Sequence, residues 1–498
     1  MSMTCPVRSG RKGALVAALL LSACAATPQL GPRPEPLTAG GVASARSLAG
    51  DAAAAWPGYG PAEGPGGAWW QGYGDAQLDQ LMREGLGASP DMAAAAARFR
   101  RAQGLAQQAG AALLPRLDAQ GSVTMERQSL NNGFPPEFKD VLPHGWNDHG
   151  LGALSFALDL DLWGKNRAAL AAATSEARAA AIDAEQARLM LTTGIADAYA
   201  DLARLHVERD VRQGALDIRS ATRKLVEDRM RSGLDTLGDL RQAEAGLSSA
   251  RAQLAAADEA IALRRNQIAA LLGAGPDRAL AITRPALSAL TAHSLPAGVT
   301  TALIGRRPDI AAARARMEAA ASRIKAARAD FFPAIRLSAL VGVQALGLDY
   351  LTKNDSIYGS VGPAISLPIF HGGALAGRYR GARAGYDEAV ASYDRTVIDA
   401  YRDVADAVTS QRALGQQLAD ARAALAASEQ AYGIARKRYE GGLSTYLDVL
   451  VAEERLLQAR QAAATLDMRA FTLDVALVRA LGGGFAATDI PVKDRPDG

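Results

Sequence analysis

Two aspartates, Asp239 and Asp448, stand 209 positions apart, each six residues beyond a glycine (Gly233 and Gly442) and on the first turn of an expected helix. A carboxylate there is favoured by the positive end of the helix dipole. A different chemistry is suggested by Ser322 and Lys325, spaced like the Ser-x-x-Lys of acylating serine enzymes. No Ser-Asp-Asn or Lys-Thr-Gly accompanies them, and both fall inside a helical pattern, so they read as a solvated helix face. His144 and His149 flank Gly-Trp-Asn-Asp in an expected loop; with five histidines in the chain and no third ligand nearby, they read as loop surface rather than a metal site. No phosphate-binding glycine loop is present, nor a nucleophile with a base and an orienting group. The expectation is no enzyme, no metal and no cofactor.

The aspartates belong to a duplicated stretch. Gly233/Gly442, Leu234/Leu443, Thr236/Thr445 and Asp239/Asp448 share the 209-residue offset, which continues without a gap through Glu244/Glu453, Leu247/Leu456 and Gly273/Gly482. A second offset, 218, relates Pro90 to Pro308 and Pro115 to Pro333, each pair bracketing an Ala-rich helical pattern. Proline suits a first helical position, where its missing N–H had no partner. Each half therefore reads short helix, two strands, long helix, tip, long helix, and a repeat of this size organises the whole chain. The tips, Gly233-Leu234 and Gly442-Leu443, combine little side-chain bulk with a leucine, a surface on which another helical hairpin can pack. The same glycines also serve as helix stops.

Four strands are expected, at about 116–126, 151–162, 334–344 and 358–369. In the first, Leu117, Ala119, Gly121, Val123 and Met125 alternate with Asp118, Gln120, Ser122, Thr124 and Glu126, the period-two pattern of a barrel strand between lipid and water. Four strands cannot close on themselves, and a membrane tolerates no open sheet edge, so a spanning barrel requires several copies of the chain. Long helices are expected at about 166–230, 237–272, 375–438 and 447–481. Leu240, Leu247, Leu254, Ile261 and Ile268 recur every seven residues, a seam that faces a partner helix. The last helix carries one seam through Val449 and Leu456 and a second through Leu443, Leu447, Leu450 and Leu457. Two seams require two neighbours, as in a cylinder of helices.

The chain opens like a secretory signal: Arg8, Arg11 and Lys12, an apolar run over 14–21, then small residues. The run ends Leu21-Ser22-Ala23-Cys24, which resembles a lipobox and implies a covalent lipid on Cys24; Ala25 favours the outer membrane by the same resemblance. Cys5 leaves with the signal, so no disulfide is available. Losing residues 1–23 also removes three basic residues and no acidic ones, which balances the two signs and leaves no basic excess to bind nucleic acid. The expected organisation is signal peptide 1–23, lipidated extended arm 24–75, first repeat 76–290 with its tip at 230–240, second repeat 291–484 with its tip at 438–448, and tail 485–498.

In combination, the lipobox, the two-fold repeat, the Gly-Leu tips with Asp239 and Asp448, Leu-Asp-Leu-Trp-Gly at 160–164 and Pro-Ile-Phe-His-Gly-Gly at 368–373 resemble the outer membrane factor (TolC-like) family, in its NodT-like efflux lipoprotein branch. The resemblance implies a mainly α homotrimer: a twelve-stranded β-barrel in the outer membrane lipid, four strands per chain, continuous with a periplasmic α-helical barrel. It implies a passive duct for drugs or other small molecules, tips that dock a periplasmic adaptor, and an inner membrane pump of the resistance-nodulation-division type. It further implies a periplasmic gate in which Asp448, with Asp239 as its twin, contributes to a carboxylate ring and Tyr439 holds the helices inward. The family's partner arginine falls at Ser444, so the closing contacts here are expected to differ. Protein secretion of type I, metal efflux and a coiled-coil structural lipoprotein are the alternatives.

Overall fold

The computed structural model describes residues 28–38, 42, 67–131, 133, 135–138, 140–286 and 306–485; the signal segment, Cys24 and residues 486–498 lie outside the described residues. The elements are α1 (Ala76–Ala88), α2 (Pro90–Ala111), β1 (Arg116–Glu126), β2 (Asn147–Asp159), α3 (Lys165–Arg231), α4 (Leu237–Leu271), α5 (Pro308–Ala329), β3 (Ala334–Leu346), β4 (Ile357–Ser366), α6 (Ala374–Glu440) and α7 (Tyr446–Ala480), with a single helical turn at Asp277–Leu280. The duplication governs helix length: α2 and α5 have 22 residues each, α3 and α6 have 67, and α4 and α7 have 35. At about 1.5 Å per residue, α3 and α6 are each roughly 100 Å long. Among the described residues, no helix is long and apolar enough to cross a membrane.

The chain divides into two compact units. The first comprises residues 1–35, 100–177 and 315–391. It holds one antiparallel sheet in the order β1-β2-β3-β4, so β1 and β4 are its edges. Register carries each row across all four strands: Leu117 pairs Phe156, Phe156 pairs Ala339, and Ala339 pairs Val361. The adjacent row is Asp118, Ser155, Leu340 and Ser360. Directly paired residues project to the same face, so apolar and polar rows alternate and the sheet has two chemically distinct sides. Leu117, Val123, Met125, Leu154, Val341, Ile357, Val361 and Ile365 are all exposed, and all project from one of them. Gln120, Ser122, Thr124, Ser338, Gln344 and Ser360 project from the other.

Strand ends differ from the sequence expectation where local chemistry intervenes. β2 begins at Asn147 instead of 151, because residues 147–150 complete the ladder with Val123–Glu126. His149 therefore sits in a strand, its Nε2 3.1 Å from Gln344 Nε2, and not in the loop that holds His144. β2 ends at Asp159 because Asp161 adopts φ +42 and turns the chain, and its carboxylate accepts the N–H groups of Asn166 (2.8 Å) and Arg167 (2.9 Å) at the start of α3. β4 stops at Ser366, two residues before Pro368, which has no N–H for a ladder.

The second unit comprises residues 36–99, 178–314 and 392–498. Its core joins Leu78, Leu81 and Met82 of α1, Ile195, Tyr199 and Leu202 of α3, Ile261 and Ile268 of α4, Val397, Tyr401 and Val404 of α6, and Phe471, Val475 and Val478 of α7. Both repeats thus build one core. The extended arm expected to reach residue 75 changes character near its end: Trp69–Tyr73 forms a 3-10 turn whose Trp69, Trp70 and Tyr73 are buried. Three aromatics of roughly 150–250 Å² each gain most by entering the core. The Tyr73 ring meets Phe471 edge-on at 4.6 Å, and its hydroxyl donates to Asp474 at 2.5 Å. Asp75 then caps α1 by accepting from Leu78 N at 2.9 Å, and also accepts from Tyr199 Oη at 2.8 Å.

Candidate functional site: the paired hairpin tips

α3 and α6 stop in the same way. Gly233 and Gly442 both have φ +73, in the left-handed region that glycine adopts without strain. Leu234 N donates to Arg229 O (2.9 Å) and Gly233 N to Met230 O (3.0 Å); at the second tip Leu443 N donates to Arg438 O (2.8 Å) and Gly442 N to Tyr439 O (3.0 Å). This is the Schellman pattern, in which the residue after the glycine commonly packs back on its own helix. Here the residue it would pack on is an arginine at both tips, and Leu234 and Leu443 remain 65% and 73% exposed. The glycines are helix stops, and the leucines are left facing outward.

α4 and α7 then start on capping boxes. Thr236 N and Oγ1 donate to Asp239 Oδ2 at 3.0 and 2.6 Å, and Thr445 N and Oγ1 donate to Asp448 Oδ2 at 2.9 Å each. The Thr236 hydroxyl lowers the Asp239 pKa, and the Thr445 backbone N–H lowers that of Asp448. A depressed carboxylate pKa means that each cap contributes fully above the ordinary carboxylate range and is lost as pH falls through the lowered value. The two aspartates make no bond to each other. Each spends one oxygen on its own threonine, which leaves the other available to a ligand.

Tyr439 is 1% exposed, in a cluster with Val226, Leu240, Ala243, Tyr446 and Val449. Its hydroxyl donates to Asp235 Oδ2. Arg229 Nε donates to that same oxygen at 3.1 Å, Arg229 Nη1 donates to Tyr439 O at 2.9 Å, and the guanidinium lies 4.4 Å from the tyrosine ring centroid. Burial, reinforced by Asp235, pushes the Tyr439 phenol up, so it remains an O–H donor. A second tie lies deeper: Arg219 donates to Glu453 Oε1 (3.0 Å), Glu454 Oε2 (3.4 Å) and Gly246 O (3.1 Å). Burial raises the Glu453 pKa, and Arg219 opposes that rise.

Tyr439 and the first tip are thus brought together through Asp235 and Arg229, two residues that the sequence reading did not single out. The signal was present in the repeat: at the 209-residue offset Tyr439 replaces Met230, and Ser444 replaces Asp235. The carboxylate missing at Ser444 is on the other hairpin, and the guanidinium comes from Arg229. Ser444 Oγ is buried without a hydrogen-bond partner among the described residues.

Ser322 and Lys325 lie on α5, as expected, and line a cavity of about 560 Å³ with Trp163, Arg167, Arg328 and Phe332, in which no carboxylate or histidine stands as a base. His144 is exposed in its loop, and among the described residues no group of three His, Cys, Asp or Glu could hold a metal ion.

Comparison with known proteins agrees with this architecture. A family profile described as Outer membrane efflux protein matches residues 81–274 and 299–483, covering both repeats. The fusaric acid resistance protein FusA of Burkholderia cepacia is 34% identical over 74% of this chain and 68% of its own length. The pyoverdine export outer membrane protein OpmQ of Pseudomonas putida is 32% identical over 85% of this chain and 89% of its own. The crystal structure of the outer membrane protein VceC of Vibrio cholerae superposes with a TM-score of 0.79, at 46% identity, over 85% of this chain and all of that one. The two-sided sheet, the doubled helical hairpin and a profile match through both halves lead to one conclusion: the chain belongs to the outer membrane efflux protein family.

Proposed function

We propose that three copies of this chain close into the outer membrane duct of a tripartite efflux system, through which small molecules delivered by an inner membrane pump and a periplasmic adaptor leave the cell. One observation carries the reading: the sheet has an apolar face, a polar face and two unpaired edges, β1 and β4. Each unsatisfied backbone group in hydrocarbon costs several kcal/mol, so β4 of one copy must pair with β1 of the next. Three copies supply twelve strands, with the Ser, Thr and Gln rows lining the bore. Leu447, uncovered on the second seam of α7, suits a neighbouring hairpin in the same assembly. Such a lining selects weakly, so the pump sets the cargo. FusA and OpmQ are named for fusaric acid and pyoverdine, which favours small organic cargo over protein or metal. A pump and adaptor encoded beside this gene would identify the type, of which resistance-nodulation-division is the best fit.

Cys24 carries the lipid in this reading, but the barrel and not the lipid holds the protein in the membrane. Cys24→Ala is expected to remain in the outer membrane fraction and to require detergent for extraction. Release into the soluble fraction would favour the structural lipoprotein instead.

The capping boxes bear on the gate. Asp448 is exposed and spends only Oδ2 on Thr445. Three copies of its Oδ1 around a narrow axis would repel one another unless a cation is shared between them. In planar bilayers, Asp448→Ala is expected to weaken cation preference and to abolish block by divalent ions. If neither changes, Asp448 is a helix cap and nothing more.

A further inference from the structure

A basic cavity lies in the second unit, between α3 and α4. His206, Arg209 and Asp210 lie within one turn of α3, and Asp258, Ile261, Ala262 and Arg265 lie at helical spacing on α4. With Arg284, from the segment after α4, they line a cavity of about 440 Å³. Two of its arginines are matched: Arg209 Nε donates to Asp258 at 2.8 Å, and Arg284 Nη2 donates to Asp210 at 2.6 Å. Arg265 makes no ion pair among the described residues, and its Nε is buried without a hydrogen-bond partner. His206 is 9% exposed, and its Nε2 is likewise buried and without a partner.

Buried polar atoms in folded proteins are nearly always hydrogen-bonded, so two orphans on residues that line one cavity point to a missing partner. Guanidinium nitrogens only donate, and a neutral imidazole donates from Nε2 in one of its two tautomers, as imidazolium does from both nitrogens. An acceptor between the two satisfies both, and an anionic oxygen suits the positive surroundings best. The formal charge agrees: three guanidinium groups face two carboxylates, which leaves one positive charge with His206 neutral and two with it protonated. We propose that this cavity binds one small oxyanion per chain, of the sulfate, phosphate or carboxylate type, between Arg265 and His206.

Proton linkage follows from the same groups. Burial is the largest influence lowering the His206 pKa; Arg265, Arg284 and Arg209 act in the same direction, and Asp210 opposes them. Asp258 is the remaining charged neighbour, already matched by Arg209. A bound anion adds negative charge beside His206 and raises its pKa, so binding takes up a proton and tightens as pH falls.

The test uses the full-length protein in detergent and radiolabelled inorganic sulfate, whose own charge is constant across the range, at fixed ionic strength and about pH 5.5 and 7.5. The expected result is saturable binding of one sulfate per chain, weakened at least about tenfold at the higher pH. Arg265→Gln is expected to weaken binding at least about tenfold at both pH values, and Arg265→Lys only a few-fold. His206→Gln is expected to bind with no pH dependence, which keeps the test decisive if Arg265→Gln does not assemble. Non-saturable uptake, or affinity unchanged in Arg265→Gln, overturns the proposal. So does saturable binding seen only after the assembly is dissociated into single chains, since a carboxylate of a neighbouring copy would then fill the cavity.

Discussion

Export is expected to stop in cells carrying Gly442→Trp, with the protein present in the outer membrane at its normal level. Nothing lies within 4 Å of a Cβ built at Gly442, so the indole projects outward from the tip. Its bulk stands beside Leu443, where the adaptor is proposed to pack. The left-handed backbone there costs a side chain about 1–2 kcal/mol, which is small against the long hairpin but large enough to need a control. Gly442→Ala bears the same backbone penalty without the bulk and is expected to export normally. The paired change Leu234→Asp with Leu443→Asp leaves the backbone alone and replaces both exposed leucines with charge; it too is expected to abolish export. The measurement is accumulation of a fluorescent pump substrate, with the amount of assembled protein determined in parallel. Normal export by Gly442→Trp would remove the tips from docking.

Asp235→Ala is expected to hold the pore open. Asp235 accepts from both the Tyr439 hydroxyl and Arg229 Nε, so its loss frees two donors at once, whereas Tyr439→Phe removes one. Hydrogen bonds to a charged group contribute about 1.5–3 kcal/mol each, and about 1.4 kcal/mol is tenfold in an equilibrium. Open probability in planar bilayers should therefore rise at least about tenfold for Tyr439→Phe and at least about a hundredfold for Asp235→Ala. Arg229→Gln should fall between them, because it leaves the tyrosine bond in place. Equal, unchanged conductance in all three variants would make the cluster a packing feature of the tips.

Most of the fold was legible because its signals are periodic. The 209-residue offset between Gly233 and Gly442 became two helix pairs of matching length, and alternation along 116–126 became a strand with an apolar and a polar side. What stayed hidden was set by contacts between distant positions. Tyr439 and Asp235 are 204 positions apart, and nothing local to either residue announces the other. Trp69 and Trp70 looked like parts of a proline-rich arm, because the core that buries them is assembled from α1, α3, α4, α6 and α7. The early start of β2 is likewise decided by its partner strand, since residues 147–150 have no strong alternation of their own.

Closure of the sheet by neighbouring copies can be tested directly by disulfide formation between its two edges. Within one chain, β1 and β4 are separated by two strands, which at about 4.8 Å per strand spacing puts them roughly 14 Å apart, beyond the reach of a disulfide. Ser122→Cys on β1 is combined in turn with Ser360→Cys, Gly362→Cys and Ala364→Cys on β4, all on the polar face. On oxidation, at least one pair is expected to give covalently joined chains that run as two and three copies and no more. Absence of linkage in every pair, or a ladder that continues past three, would contradict a closed trimeric barrel.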